Sequence, residues 1–411
     1  MGLNTAVGNF TQPVTTGSQS ITGVGFQPKL ILFFMGSDAT AAGFDTGVHH
    51  SFGAADGTHQ FYMAASAQQK SSGTANTVRN QTATKCIGTV LDTGATINAE
   101  ASFTSMDSDG FTINWTTADA VARKIFFIAL GGSDITNVFI GNVLLNAATG
   151  SQSITGVGFQ PTLLLTGTLG NATAPPNLAL GNIRANLGMA SATVQQQSTC
   201  GLNNAVTIGS ANGTSYQRTS EVTAWSGGSG VTGEFTLTSM DADGFTINIT
   251  TASAAYLFFI AIKGTIGLSI GSFNQPTSTG NQSITAGLRP SLLLLESAGF
   301  ATSSSINTPS ARLSQGATDG TNTWEKWCGY NNGGASTVAK THIDFGAGGN
   351  MLRIAAEATT PTTQALASLA SFDPTGFTLN WSIADATARE ILYLAIGQGD
   401  TFTTTLNFRL A

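Results

Sequence analysis

The chain has 411 residues, and its 16 Lys or Arg and 22 Asp or Glu give a net charge of −6. This length suits about two to four domains, and an apolar fraction of 41% excludes a disordered polymer. There is no basic cluster, and no apolar run approaches the ~18 residues of a membrane helix, so we expect neither a nucleic-acid partner nor a membrane span.

The charged fraction of 9% is far below the roughly 25% of an average soluble domain. Gly, Ser, Thr, Asn and Ala fill the places that Lys and Glu usually hold. Long charged side chains keep protein surfaces solvated and apart. Their scarcity therefore predicts that part of the surface is covered by partners, or by further copies of the chain, in a fixed assembly.

A repeated segment is the first clear pattern along the chain. Residues 16–28 read TGSQSITGVGFQP, residues 149–161 repeat them without change, and 280–290 read GNQSITAGLRP. A short segment with a central glycine precedes each copy, at 7–10, 140–143 and 270–273. The first two copies start 133 residues apart, a spacing too long for a solenoid repeat but typical of a whole domain.

The elements that follow in each copy predict β-strands. Pro28 and its counterparts each precede an apolar run, as is common at the first position of a strand. Asp56-Gly57-Thr58 and Asp319-Gly320-Thr321 predict a turn that copies one and three share.

A second repeated block combines an Asp-Gly turn with an alternating strand. It reads SMDSDGFTINW at 105–115, SMDADGFTINI at 239–249 and SFDPTGFTLNW at 371–381. Phe111, Ile113 and Trp115 alternate with polar residues, which indicates one buried and one exposed face. Each block leads into an apolar strand, at 125–130, 257–262 and 391–396.

These patterns predict an all-β chain of three tandem β-sandwich, jelly-roll-like domains with about eight strands each. We place the domains at 1–133 (copy 1), 134–265 (copy 2) and 266–400 (copy 3). Three like domains can surround a pseudo-threefold axis and mimic a homotrimer. Residues 401–411 predict a further strand, which either covers an open edge of a neighbouring unit or pairs with the sheet of a partner.

The segments QSITGVGFQP, SMDSDGFTINW and the ARxIxxLAxGG pattern that follows resemble a β-sandwich repeat of tailed-phage virion proteins and their prophage relatives. The resemblance covers all three copies and is most specific at GFQP and DSDGFT. Copy 3 departs at Leu288-Arg289-Pro290 and at Asp373-Pro374-Thr375-Gly376. The resemblance implies capsid decorations, head fibres or tail-attached modules, with no catalytic residues to transfer.

Candidate catalytic and metal-binding residues have simpler interpretations. Asp107 and Asp109 begin like a calcium loop, but residue 118, where an EF-hand has its closing Glu, is an Ala. His49, His50 and His59 fit exposed strand and loop positions. The seven Glu do not recur between copies as a glycosidase carboxylate pair would. The three Cys fit free, mostly buried thiols in a reducing cytoplasm. We expect no enzyme activity, metal or cofactor.

Two sets of residues remain candidates for contacts with other subunits or ligands. Asp119 and Arg123 recur as Asp385 and Arg389, either as a local ion pair or as a loop that contacts neighbouring subunits. The aromatic residues found only in copy 3 either anchor a protein partner or a glycan, or pack beneath their own loop: Trp324, Trp327 and Tyr330.

The sequence thus predicts a non-enzymatic structural protein of a phage virion, made in the host cytoplasm. It would decorate the capsid or attach to the head or tail, with other virion proteins as partners. The alternative is a carbohydrate- or receptor-binding adhesin module of a tail or fibre.

Overall fold

The computed structural model describes residues 2–36, 43–71, 74–91, 94–181, 184, 186–193, 195–202, 206–207, 213–226, 230–302, 310–331 and 337–399. These residues form an all-β structure without helices. Accordingly, none of them belongs to a helix long and apolar enough to cross a membrane. The strand predicted at 401–411 lies outside the described residues.

The strands of copy 1 are β1 (Leu3–Thr11), β2 (Gly17–Thr22), β3 (Pro28–Met35), β4 (Asp45–Thr46), β5 (Val48–Ala55), β6 (Gln60–Ala67), β7 (Thr74–Ala75), β8 (Thr77–Thr82), β9 (Ile87–Val90), β10 (Ile97–Asp107), β11 (Gly110–Thr117) and β12 (Lys124–Gly132). Those of copy 2 are β13 (Ile135–Leu144), β14 (Gly150–Thr155), β15 (Leu163–Gly167), β16 (Asn177–Leu180), β17 (Asn186–Ala190), β18 (Gln195–Leu202), β19 (Val206–Thr207), β20 (Gly213–Arg218), β21 (Thr223–Ser226), β22 (Val231–Asp241), β23 (Gly244–Thr251) and β24 (Tyr256–Gly264). Copy 3 contains β25 (Ile266–Asn274), β26 (Gly280–Thr285), β27 (Pro290–Ser297), β28 (Ser310–Thr318), β29 (Asn322–Asn331), β30 (Val338–Ala347), β31 (Asn350–Ala355), β32 (Thr363–Asp373), β33 (Gly376–Ile383) and β34 (Glu390–Gln398).

Each copy contributes a small and a large antiparallel sheet. The small sheets have four strands in the orders β2-β11-β10-β9, β14-β23-β22-β21 and β26-β33-β32-β31. The large sheets have the orders β1-β12-β3-β5-β6-β8-β16, β13-β24-β15-β17-β18-β20 and β25-β34-β27-β28-β29-β30-β4. The predicted boundaries at 133 and 265 fall in the short links between β12 and β13 and between β24 and β25.

The small and large sheets of copy 1 bury an apolar core between them, as in a β-sandwich. Phe111, Ile113 and Trp115 on β11 are fully or almost fully buried there, together with Phe33 and Phe127 of the large sheet. Each such side chain stabilises the fold by about 1.5–3 kcal/mol. The apolar face of β11 is therefore buried, as the alternation of apolar and polar residues predicts.

The opposite face of the large sheets is buried as well. Another apolar cluster takes residues from all three copies, among them Leu32 of copy 1, Leu165 of copy 2 and Leu294 of copy 3. This second buried face explains why β3 is continuously apolar from Leu30 to Met35, and β27 from Leu292 to Leu295, instead of alternating. We call this cluster the shared core.

Strands also cross from one copy into the sheet of another. The copy 2 strand β16 pairs with β8 of copy 1, and the copy 1 strand β4 pairs with β30 of copy 3. A two-stranded ladder joins β7 of copy 1 to β19 of copy 2. The three copies are thus interlinked, which the sequence repeat alone does not indicate.

Candidate interaction surfaces

The acidic residues of the DSDG motif hold turns together. The Asp109 carboxylate accepts hydrogen bonds from the backbone N–H groups of Gly23 (3.0 Å) and Gly25 (2.6 Å). Asp243 makes the same two bonds in copy 2, and these backbone donors lower its pKa. Thr375 of copy 3 uses its carbonyl oxygen instead to accept from two backbone N–H groups. This difference follows from the local sequence, since copy 3 lacks both the Asp and one loop residue.

The first Asp of each motif stabilises a β-bulge. Asp107 accepts from the hydroxyl groups of Ser105 and Thr112, each at 2.7 Å, beside a register shift between Phe103 and Ser105. Asp241 and Asp373 make the equivalent bonds, and these hydroxyl donors lower the pKa of both carboxyls. These contacts account for the motif without calcium. Among the described residues, no group of three or more His, Cys, Asp or Glu side chains could hold a metal ion.

The Asp119–Arg123 pair is a local ion pair within copy 1. Arg123 Nε lies 2.5 Å from Asp119 Oδ2, and the Asp119 side chain is 7% exposed. Asp119 also accepts from the backbone N–H of Val121 and from the amide of Asn98. These bonds fix the loop before β12, whether or not the loop also contacts another subunit.

Asp385 and Arg389 form the equivalent pair in copy 3. Arg389 donates to Asp385 Oδ2 at 2.7–2.8 Å and to the carbonyl of Gly299 at 2.5 Å. Burial opposes ionisation, but the N–H of Thr387 and the Arg389 guanidinium lower the pKa of Asp385. The predicted subunit contact stays a prediction at both pairs.

The three aromatic residues of copy 3 lie on strand β29, not in a loop. Trp324, Trp327 and Tyr330 are at most 1% exposed. Trp324 stacks on Phe126 of copy 1, with ring centroids 5.4 Å apart, inside the shared core. Of the two interpretations of the sequence, packing within the chain is the observed one. The interpretation as a surface contact with a partner or glycan has to be corrected, because these side chains do not reach the surface.

The histidines do not come together into one site, and not all are exposed as expected. His50 is buried, and its Nδ1 accepts from Lys326 Nζ of copy 3 at 2.9 Å. His59 has a 45% exposed side chain, and its Nδ1 lies 3.0 Å from Asp56 Oδ2. Cys86 and Cys328 are buried, and burial raises the pKa of the Cys86 thiol. The Cys200 side chain lies outside the described residues.

The Asp-Gly-Thr turns join neighbouring copies. Asp56 of copy 1 accepts a hydrogen bond from the N–H of Ile140 of copy 2 at 3.0 Å. In the same way, Asp319 of copy 3 accepts a hydrogen bond from the N–H of Val7 of copy 1 at 2.8 Å. Both donors belong to the glycine-containing segment that precedes each copy. The turn and the segment are each visible in the sequence, but nothing in the sequence indicates that one binds the other across copies.

A groove runs beside each of these two junctions. The groove between copies 1 and 2 has a volume of about 480 Å³ and is lined in part by His59, Phe139, Asn142 and Ser153. The one between copies 3 and 1 is equally large and is lined in part by Asn4, Thr5 and Arg289. Both have mixed polar and apolar walls and are open to solvent.

A comparison of the chain with protein-family models and with curated proteins finds no match. The interpretation of these surfaces therefore depends on their geometry and on the sequence patterns.

Proposed function

We propose that the chain is a non-enzymatic structural protein of a phage virion, a capsid decoration or a head- or tail-attached component. In this proposal, its three sandwich units surround a pseudo-threefold axis. The observation that carries the proposal is that each copy contacts both of the others. Strand β16 of copy 2 pairs with copy 1, Gln217 of copy 2 donates to the carbonyl of Glu390 of copy 3, and strand β4 of copy 1 pairs with copy 3.

Two equivalent contacts support the pseudo-threefold arrangement. The turn of copy 1 binds the first strand of copy 2, and the turn of copy 3 binds the first strand of copy 1, through the same Asp-to-backbone hydrogen bond. Two like contacts that pass in one direction, from copy 3 to copy 1 and from copy 1 to copy 2, are what rotational symmetry produces. The shared core, with side chains from all three copies, supports the same geometry.

The hydrogen bonds of the recurring aspartate carboxylates support a structural role. The aspartates that recur in the repeated motif already bind backbone N–H groups or hydroxyls in turns and bulges. A general acid or base needs a proton-transfer partner on a substrate, and carboxylates that satisfy their own turn are poorly placed for it.

The outward side of the small sheets supports binding to other virion proteins. Ser20 and Thr112 form a hydroxyl pair at 2.8 Å, and Ser153–Thr246 and Ser283–Thr378 form the same pair at the same distance. Such a hydroxyl-lined surface, present three times per chain, can make many weak contacts whose strengths combine through multivalency. A capsid lattice or tail offers the matching repeated environment, and the same surfaces allow self-association.

The deciding experiment is quantitative mass spectrometry of purified phage particles whose genome encodes this chain. We expect scores to hundreds of copies per particle, in a simple ratio to the main shell or tail protein. Absence of the chain from washed particles would overturn the proposal.

A glycan-binding adhesin is the second candidate, and the grooves beside the junctions favour it. Asn142 and Ser153 place an amide and a hydroxyl along the groove next to His59, and such groups hydrogen-bond sugar hydroxyls. An adhesin would be scarce, a few copies at a tail or fibre tip, so the same copy-number measurement separates the two functions.

A further inference from the structure

Copy 3 has three polar side chains on neighbouring strands of its large sheet, which we call the polar row. Glu296 on β27 lies opposite Gln315 on β28, and Gln315 lies opposite Lys326 on β29. Each of them is at most 1% exposed. Copy 1 has apolar side chains at the equivalent positions of its own sheet: Phe34, Phe52 and Met63. The fold of the unit therefore does not require polar groups at these positions.

The polar row faces the shared core. Side chains two positions apart on a strand point to the same face of a sheet. The residues two positions before the polar row on its three strands all belong to the shared core: Leu294, Leu313 and Trp324. Burial of a carboxyl, an amide and an amine in such a core lowers stability unless each group is paired. Packing alone therefore does not account for the polar row.

Glu296 and Gln315 form a pair within the row. Gln315 Nε2 donates to Glu296 Oε1 at 2.5 Å. The other oxygens of the two groups, Glu296 Oε2 and Gln315 Oε1, are buried and have no hydrogen-bond partner among the described residues. A proton on Glu296 Oε2 would let it donate to Gln315 Oε1, which satisfies both atoms. Burial favours this protonated form, because it raises the pKa of Glu296 from 4.5 to about 8 against the effects of Gln315 and Lys326.

Lys326 meets a hydrogen-bond acceptor from another copy. Its Nζ donates at 2.9 Å to Nδ1 of His50, a buried residue on β5 of copy 1. A His50 that accepts at Nδ1 is the neutral imidazole, which can take a proton from Nζ. Directly opposed residues of antiparallel strands have Cβ atoms about 4.5–5.5 Å apart. The flexible four-carbon stem of Lys326 therefore lets Nζ reach the carboxamide of Gln315.

We propose that Lys326 and Gln315 form an isopeptide bond between their side chains, and that His50 and Glu296 transfer the protons of this reaction. The four groups stand in the order that a transamidation requires. A base lies at the nucleophilic amine, the amide lies opposite that amine in the register, and an acid lies at the leaving nitrogen. The product replaces the amine of Lys326 by an uncharged amide, which an apolar core accommodates at lower cost.

The reaction exchanges one C–N bond for another. The neutral amine of Lys326 attacks Cδ of Gln315, and His50 takes one proton from Nζ as the Nζ–Cδ bond forms. The proton of Glu296 polarises Gln315 Oε1 during the attack and then passes to Nε2, which leaves as ammonia when the Cδ–Nε2 bond breaks. The proton held by His50 then restores the acid form of Glu296. One amine and one amide thus give one amide and one ammonia, and no other reactant is needed.

The reaction combines groups from two copies. His50 belongs to copy 1, whereas Glu296, Gln315 and Lys326 belong to copy 3. The bond should therefore form only after copies 1 and 3 have packed together, and it then ties β28 to β29. Each chain would react once, without turnover. Such a self-modification is compatible with the proposed structural role but does not depend on it.

Mass spectrometry of the full chain tests the proposal. The purified wild-type chain is kept folded, sampled over time, and denatured before its intact mass is measured. We expect this mass to fall below the sequence mass by one ammonia. Trypsin should leave the peptide bond after Lys326 uncut, because it does not cleave after a lysine whose amine is acylated. Tandem spectra of the digest should show a peptide from β28 linked to one from β29.

Variants identify the groups that react. K326M introduces the residue type that copy 1 has at this position and should keep the full sequence mass. K340M, which changes another buried lysine of the same sheet, is the matched control and should lose ammonia like the wild type. E296Q keeps a hydrogen-bonding group beside Gln315 without the acidic proton, and H50N keeps an acceptor beside Nζ without the imidazole. Each should slow the loss of ammonia about 100-fold or more.

A folded wild-type chain that keeps its full sequence mass would contradict the proposal, and this result requires no variant to fold. Loss of water instead of ammonia would show that Glu296, and not Gln315, is the group attacked, which also contradicts it. An ammonia loss that persists in K326M would come from elsewhere in the chain, as at an Asn-Gly step, and would have the same consequence. Wild-type rates in both E296Q and H50N would exclude the two proposed proton-transfer groups.

Discussion

Three glycines in the first strands of the copies each lie against an aromatic ring. A Cβ added at Gly8 would lie 2.4 Å from Cζ of Phe127, and one at Gly141 would lie 2.4 Å from Cζ of Phe259. Gly271 has the same relation to the Tyr393 ring, with the hydroxyl oxygen at 2.5 Å. The glycine that recurs in each preceding segment is thus required by packing of the last strand against the first.

We predict that Gly8→Ala lowers the free energy of unfolding by about 1–3 kcal/mol, the usual cost of overpacking. The Phe127 ring cannot turn away easily, since it packs against Phe10 and Phe111. Urea unfolding followed by far-UV circular dichroism measures the change. The control is Gly94→Ala, where a Cβ would meet no atom within 4 Å. If both variants were equally stable, the ring contact would not constrain this position.

At the scale of the strand, the sequence predicts what lies within one copy but not what lies between copies. The alternation of 110–117 predicts β11 and its buried face, because both features depend on residues close in the chain. The four-residue strand β16 has no such signal, since its ladder partner is about 100 residues away in another copy. The apolar runs in β3 and β27 do indicate burial on both faces, because a strand buried on one face only would alternate apolar and polar residues. Similarly, Trp324 is buried because it packs against copy 1, and the residues around Trp324 in the sequence give no sign of this contact.

Strand β16 offers a direct test of the strand pairing between copies. We predict that replacing Asn177–Leu180 by alternating Gly and Ser raises the hydrogen exchange of β8 at least tenfold, because β8 loses its outer ladder and becomes an exposed edge. Thr77, whose hydroxyl donates to the carbonyl of Gly181 at 2.8 Å, should be among the residues affected. Peptides from β11 serve as the internal control. Unchanged protection of β8 would show that β16 does not stabilise it.

At the scale of the whole molecule, the shared core buries side chains of all three copies against one another. Each large sheet is buried on both faces: its own small sheet covers one face, and the other two copies cover the opposite face. The repeat length alone indicates three independent domains, because it reflects the duplicated sequence and not the burial of the second face. On the same strands, copy 3 has Glu296, Gln315 and Lys326 where copy 1 has Phe34, Phe52 and Met63.

We therefore predict that copy 1 alone, residues 1–133, does not exist as a soluble monomer. Removal of copies 2 and 3 exposes its share of the shared core, including Leu30, Leu32, Phe34 and Phe61, and an apolar patch of that size drives association. Size-exclusion chromatography with light scattering should show that copy 1 alone forms trimers or larger species. The full chain, run under the same conditions, is the reference. Residues 266–399 are the matched control, because Glu296, Gln315 and Lys326 stand where copy 1 has Phe34, Phe52 and Met63, so copy 3 should associate less. A folded monomer of copy 1 at tens of micromolar, with one cooperative unfolding transition, would show that its second face does not need the other copies.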